Sequence, residues 1–125
     1  MKVIDTREYK SRWSIVFTDD ECWRAGIYVP ENASLEEVVV LEKHDRPELF
    51  ILLDGEINLV LSEDGVEVKE VQMEQGKVYV VEEWHNAYRP GNRPGRALVI
   101  EAANIQTEYL SIPPLSPCRE TGDNF

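Results

Sequence analysis

The sequence predicts an all-β fold, a sandwich or barrel of short strands. No long window repeats apolar residues at helical spacing, whereas several short segments alternate apolar and polar residues or are rich in Val, Ile and Tyr. Glycine-containing turns at 54–55, 63–65, 75–76 and 90–92 separate many of these segments. Short strands with frequent turns are typical of closed or layered all-β folds.

Ten segments carry the strand pattern along the chain. A loop at 30–34 precedes the third segment, and residues 35–37 also allow a short helical turn there. The predicted strands are Trp13–Phe17, Cys22–Val29, Glu36–Lys43, Glu48–Leu53, Glu56–Leu61, Val66–Met73, Lys77–Glu82, His85–Tyr88, Ala97–Ala102 and Thr107–Leu110.

The length of 125 residues is typical of a single domain with one hydrophobic core, so we expect one domain over residues 1–125. From Ser111 the chain contains three prolines, which cannot donate to a sheet. Residues 111–125 are therefore expected to form an irregular tail that packs over the barrel or a neighbouring subunit. Cys22 and Cys118 are far apart in sequence, which favours reduced thiols.

The charge of the chain excludes several classes of partner. Asp and Glu total 24 against 13 Lys and Arg, which gives a formal net charge of -11. Such a surface repels phosphate backbones and anionic lipid headgroups, so we expect no nucleic-acid partner and no membrane partner. The amino terminus has no apolar signal core, and a cytoplasmic location is expected.

Two segments carry residues capable of chemistry. In the third predicted strand, Glu42 and His44 are two residues apart and therefore share a face, together with Val38 and Val40. After a short turn the chain returns at Glu48, which brings this carboxylate towards His44. His85, the second of the chain's two histidines, begins another strand. Both histidines thus fall at strand ends, where side chains gather at the mouth of a barrel.

These two segments resemble the motifs of the cupins. His44, Glu48 and Gly55 have the spacing H-x3-E-x6-G of the first cupin motif, and Gly76 and His85 match part of the second. Glu42 stands in place of the family's first histidine, and the second motif is shortened by two residues. The resemblance implies a double-stranded β-helix (jelly-roll) barrel that holds one divalent metal. Carried over by position, the ligands are His44, Glu48 and His85, with Glu42 as a substitute fourth.

Two imidazoles and a carboxylate suit Mn(II), Fe(II), Ni(II) or Zn(II). Glu42 has alternative roles: a solvated strand-end residue, a hydrogen-bonding partner of a ligand, or a proton acceptor. Phe50 shares the parity of Glu48 and is predicted to line a pocket or fill the core. Arg24 and Tyr28 share a face of the second strand, pointing either inward to a ligand or outward to a salt bridge. No residue is assigned a catalytic role.

Two functions remain open from the sequence. One is a small metal-dependent cupin that acts on a carbohydrate-like or keto-acid metabolite by isomerase, lyase or dioxygenase chemistry. The other is a metal-free cupin that binds a small molecule or serves as a structural subunit. By analogy with small cupins, and because exposed sheet edges need covering, a homodimer is expected.

Overall fold

A computed structural model describes residues 1–115 of the chain. No helix within this part is long and apolar enough to cross a membrane. The described residues contain ten strands and short 3-10 turns at Thr6–Glu8, Leu35–Glu37 and Pro90–Asn92. The strands are β1 (Trp13–Asp19), β2 (Trp23–Tyr28), β3 (Val40–His44), β4 (Glu48–Gly55), β5 (Asn58–Ser62), β6 (Lys69–Gln72), β7 (Val78–Val81), β8 (Trp84–Tyr88), β9 (Gly95–Ala102) and β10 (Thr107–Ser111).

The strands form two five-stranded antiparallel sheets. One sheet has the order β1-β2-β9-β4-β7 and the other β10-β3-β8-β5-β6. Apart from β1-β2 and β5-β6, neighbouring strands within a sheet are not consecutive in the chain, as in a jelly roll, because most successive strands from β2 onwards alternate between the sheets. The predicted all-β jelly-roll architecture is confirmed.

Every segment predicted as a strand contains one, and the predicted and observed strands differ only in where they begin and end. The prediction that the third strand starts at Glu36 is wrong, since residues 35–37 form the 3-10 turn and β3 starts at Val40. The turn buries Leu35 while exposing both Glu36 and Glu37, which a strand would send to opposite faces. The predicted start of the tail is one residue too early, because Ser111 still belongs to β10. Residues 116–125 of the predicted tail lie outside the described part of the chain.

The inner faces of the two sheets enclose one apolar core. Side chains alternate along β9, where Ala97 and Val99 point inward and are almost fully buried. Burial of this kind contributes roughly 25 cal/mol for each Å² of apolar surface removed from water. The core consists of Phe50, Leu52, Ile57, Leu59, Leu61, Met73, Val81, Ala87, Ala97 and Val99.

A second apolar cluster covers the outer face of the sheet that contains β3. Val38 and Leu41 are fully buried there, and Trp84 packs against them on the face opposite His85. The prediction that Val38 shares a face with Glu42 and His44 is therefore wrong, because the chain between the 3-10 turn and β3 breaks the alternation. The cluster consists of Leu35, Val38, Leu41, Val60, Tyr88 and Leu115.

Two glycines allow close approaches that shape the barrel. Gly55 closes β4 at φ +77°, and a Cβ atom there would lie 2.1 Å from the Pro94 carbonyl oxygen. Gly26 of β2 lies beneath the Trp13 ring, and a Cβ atom there would lie 2.2 Å from it. A side chain at either position would displace a neighbour.

Candidate functional site

A cavity of about 440 Å³ opens between the two sheets at one end of the barrel. Its walls come from both sheets: β3 and β8 contribute the two histidines, β4 contributes Glu48, and β9 contributes Glu101. Val40, as predicted, also lines this cavity. Polar side chains thus gather at one end of a core that is otherwise apolar.

Glu48 lies between the two imidazoles. Its Oε1 atom is 3.0 Å from Nε2 of His44 and 2.9 Å from Nε2 of His85. The ring centroids of the two histidines are 5.2 Å apart. Glu48 is only 4% exposed, and its Oε1 atom makes no hydrogen bond to any described residue. A buried carboxylate oxygen without a hydrogen bond is costly unless a cation neutralises it.

The outer nitrogen of each imidazole has a partner. Nδ1 of His85 is 2.9 Å from the carbonyl oxygen of Glu83, which can only accept, so Nδ1 carries the proton. Nε2 is therefore the ring nitrogen of His85 that is left to face the cavity as a ligand. Nδ1 of His44 is 2.8 Å from the hydroxyl of Thr107, which can also accept. Hydrogen bonds of this kind on the outer nitrogen orient imidazoles as metal ligands.

Glu42 lies at the edge of this group. Its Oε1 atom is 3.5 Å from Nε2 of His44 and 3.8 Å from Nε2 of His85, which is its register partner across β3 and β8. Its side chain is 37% exposed, far more than the histidines or Glu48. Burial alone would lower the pKa of His44, but the carboxylates of Glu42 and Glu48 raise it to about 10.

Glu101 is the site residue that the sequence interpretation missed. It is 6% exposed and pairs with Arg24, whose Nε lies 2.7 Å from Glu101 Oε2. Burial and the neighbouring carboxylate of Glu48 raise the pKa of Glu101 to about 7. Glu48 shows the opposite shift. Burial alone would raise the pKa of its carboxyl, but the two imidazoles and Glu101 bring this pKa well below its usual range.

The predicted pocket residues all line the cavity. The Phe50 ring lies edge-on to both His85 and Tyr28, with centroids 6.0 Å and 6.2 Å away. Arg24 points inward, so the alternative of an outward salt bridge is wrong, although it does form a salt bridge inside the cavity. Burial raises the pKa of the Tyr28 hydroxyl above its ordinary value.

The donor atoms fit a metal ion. Those of Glu42, His44 and His85 lie within 4.8 Å of one another, as do those of His44, Glu48 and Glu101. Ligands about 2.1 Å from an ion and at right angles to each other are about 3.0 Å apart, close to the separations of the Glu48 oxygen from the two imidazole nitrogens. An ion there would contact the buried Oε1 atom of Glu48, which makes no hydrogen bond to a described residue.

No protein-family model and no curated protein matches the chain. Solved structures do match it. A cupin-2 domain protein from Shewanella frigidimarina is 17% identical with a TM-score of 0.59, and the match covers 80% of this chain and 94% of that one. A cupin-2 domain protein from Halorhodospira halophila is 16% identical with a TM-score of 0.54, over 93% and 79%.

A DMSP lyase from Ruegeria pomeroyi is also similar, at 16% identity and a TM-score of 0.52. That match covers 78% of this chain but only 46% of the lyase, so the chain spans less than half of that protein. Identities this low establish an architecture. Together with the two antiparallel five-stranded sheets, they show that this chain has the fold of the cupin superfamily.

Proposed function

We propose that the chain binds a divalent metal ion and acts on a small polar metabolite in its cavity. His44, Glu48 and His85 hold the ion, with Glu42 as the fourth ligand. The observation that carries this proposal is the buried Oε1 atom of Glu48, which makes no hydrogen bond yet lies within 3.0 Å of two imidazole nitrogens. Lone pairs that converge so closely need a metal ion or a proton between them.

The ligand types suit Mn(II), Fe(II), Ni(II) or Zn(II), and the second carboxylate favours the harder ions Mn(II) and Fe(II). Such an ion, when bound, would polarise a substrate oxygen and stabilise negative charge that develops on it. The substrate classes that match this set are carbohydrate-like and keto-acid metabolites, by isomerase, lyase or dioxygenase chemistry. The similar structure named as a DMSP lyase supports including lyase chemistry among the candidate reactions.

The protein's own side chains divide the remaining tasks. Glu42 is the most exposed carboxylate of the group, so its oxygen that does not bind the ion is the one placed to accept a proton from a bound substrate. Phe50 shields the imidazole of His85 from the core side and excludes water there. Arg24 and Tyr28 offer hydrogen-bond donors on the wall formed by β2.

Elemental analysis of protein purified without a chelating column tests the metal site. We expect close to one ion per chain, and at least a tenfold loss of affinity in Glu48→Gln and in His85→Ala, because each removes a ligand. Glu74→Gln is the matched control, since its side chain is 64% exposed and pairs only with Lys77. An unsubstituted protein that stays free of metal after incubation with Mn(II) and Zn(II) would contradict the proposal.

One observation favours the metal-free alternative. His44 lies between the carboxylates of Glu42 and Glu48, so a protonated His44 provides a cation without any metal. In that case the cavity binds a small molecule through a preformed ion-pair network and catalyses nothing. Protein that ignores added metal but gains thermal stability with small metabolites would support this function.

A further inference from the structure

We propose that Arg24, held in place by Glu101, binds a carboxylate group of the substrate. The metabolite is then an organic acid and not a neutral sugar. This inference deepens the proposed function and rests on it, because it concerns the same cavity. It assigns Glu101 as a positioning residue that fixes the guanidinium without touching the substrate.

The contacts of Arg24 leave one edge of its guanidinium available. Arg24 and Glu101 are register partners across β2 and β9. Nε and Nη2 of Arg24 lie 2.7 Å and 2.6 Å from the same Oε2 atom of Glu101. Nη1 makes no hydrogen bond or ion pair with any residue in the described part of the chain. The edge formed by Nη1 and Nη2 therefore keeps two N–H groups, the geometry that binds both oxygens of a carboxylate.

Burial makes this guanidinium rigid. The Glu101 side chain is 5% exposed and that of Arg24 is 25% exposed, and both line the cavity. A guanidinium held in this way loses little further conformational freedom when a ligand binds. Arg24 is thus preorganised, whereas an arginine on the protein surface would first have to be ordered.

The position of Arg24 limits the size of the ligand. Glu101 is its direct partner, and the donor atoms of Glu101, His44 and Glu48 lie within 4.8 Å of one another. One residue therefore separates Arg24 from the proposed ion. We therefore expect a small ligand whose carboxylate lies close to a second oxygen, as in a 2-keto acid.

Charge balance makes this binding dependent on the ion. The cavity is lined by the guanidinium groups of Arg12 and Arg24 and by four carboxylates, of Glu31, Glu42, Glu48 and Glu101. Without an ion these groups are net negative even when His44 is protonated, and they repel an anion, whereas a divalent cation offsets the excess. We therefore expect the carboxylate ligand and the ion to increase each other's affinity.

Calorimetry with pyruvate and pyruvamide tests the inference, because the two differ mainly in replacing a carboxylate with a neutral amide. In Mn(II)-loaded protein, we expect pyruvate to bind at least about tenfold more tightly than pyruvamide. The preference should disappear in the double variant Arg24→Gln, Glu101→Gln, which removes the pair without leaving a buried charge. Arg24→Lys keeps the charge but loses the planar edge, so the preference should shrink without vanishing.

The matched control is the double variant Arg93→Gln, Glu56→Gln. It removes another Arg–Glu pair, with side chains 58% and 38% exposed, that does not line this cavity. We expect it to keep the full preference for pyruvate. Equal affinities for the two probes in the unsubstituted protein, or a preference that survives in the Arg24 and Glu101 double variant, would overturn the inference.

Measuring the ion content of the same samples separates the two proposals. Loaded protein that shows no preference for pyruvate overturns the role of Arg24 and leaves the metal centre intact. Protein that takes up no ion but prefers pyruvate through Arg24 overturns the metal centre alone. Protein that takes up no ion and shows no preference overturns both.

Discussion

The charge of His44 depends on what lies between it and the carboxylates of Glu42 and Glu48. Without a metal ion, these two carboxylates raise the pKa of His44 to about 10 although burial opposes them. With a metal ion, the same nitrogen must be deprotonated in order to bind. One side chain therefore links the occupancy of the cavity to pH.

The raised pKa of His44 predicts how the stability of the metal-free protein varies with pH. Because the folded-state pKa of about 10 exceeds the ordinary value of 6.5, the stabilisation is fully present below about pH 6.5 and is lost as pH rises towards 10. Urea unfolding in the presence of a chelator, from pH 6 to 10, measures this loss. His44→Gln is the control, and the difference between the two proteins isolates the histidine from other groups that titrate in this range.

A pH-independent difference between the unsubstituted protein and His44→Gln would contradict the prediction. Such a result would mean that His44 has an ordinary pKa in the folded chain.

Glu101 shows which site residues sequence reasoning can find. His44, Glu48 and His85 were identified by their motif spacing, and they converge as the sequence predicted. Glu101 lies outside the motifs, but it occupies the inward register of β9 with Ala97 and Val99. A glutamate in a register of buried apolar residues is a signal in itself, since a buried carboxylate needs a partner. That partner, Arg24, is 77 residues away, so sequence alone did not reveal it.

At the scale of elements, β3 depends on the apolar cluster behind it. Leu41 of β3 is fully buried in that cluster, while its neighbours Glu42 and Val40 line the cavity on the opposite face. The cluster is formed partly by the turn at Leu35–Glu37 and by Leu115. The alternation of apolar and polar residues predicted β3 correctly. It did not predict that the alternation fails before Val40, because the residues there pack in a cluster that includes the distant residue Leu115.

Two adjacent valines test this support. Val38 is fully buried, and Val38→Ala is expected to lower the free energy of unfolding by about 1–3 kcal/mol through lost burial and a residual cavity. Val39 is 48% exposed, and Val39→Ala is expected to change stability by less than about 0.5 kcal/mol. Urea denaturation at fixed metal content measures both. Equal effects of the two substitutions would show that the cluster does not support β3.

At the scale of the whole molecule, the edge of one sheet is the region that favours association. Among the described strands, β7 pairs only with β4, and it exposes Val78 and Val80, each 58% accessible. Unpaired edge strands with exposed apolar residues favour pairing with another chain. The homodimer predicted from the sequence therefore remains our expectation, and β7 is where we expect the contact.

Light scattering checks this expectation against the chain mass of 14.4 kDa. We expect a dimer for the unsubstituted protein and a monomer for Val80→Lys, since a buried lysine would oppose edge pairing. Val66→Lys is the matched control because Val66 is 80% exposed and lies outside β7. A monomeric unsubstituted protein, or a dimer that persists in Val80→Lys, would contradict the prediction.

The contacts of Glu48 with the two histidines also connect the two sheets of the barrel. His44 and His85 belong to one sheet and Glu48 to the other, so their contacts cross the space between the sheets. The described core cluster between the sheets is apolar, whereas here charged groups connect the two sheets. Binding or removing an ion at this site would change how readily the two sheets separate. The rate at which the cavity opens should therefore depend on whether the site holds a metal ion.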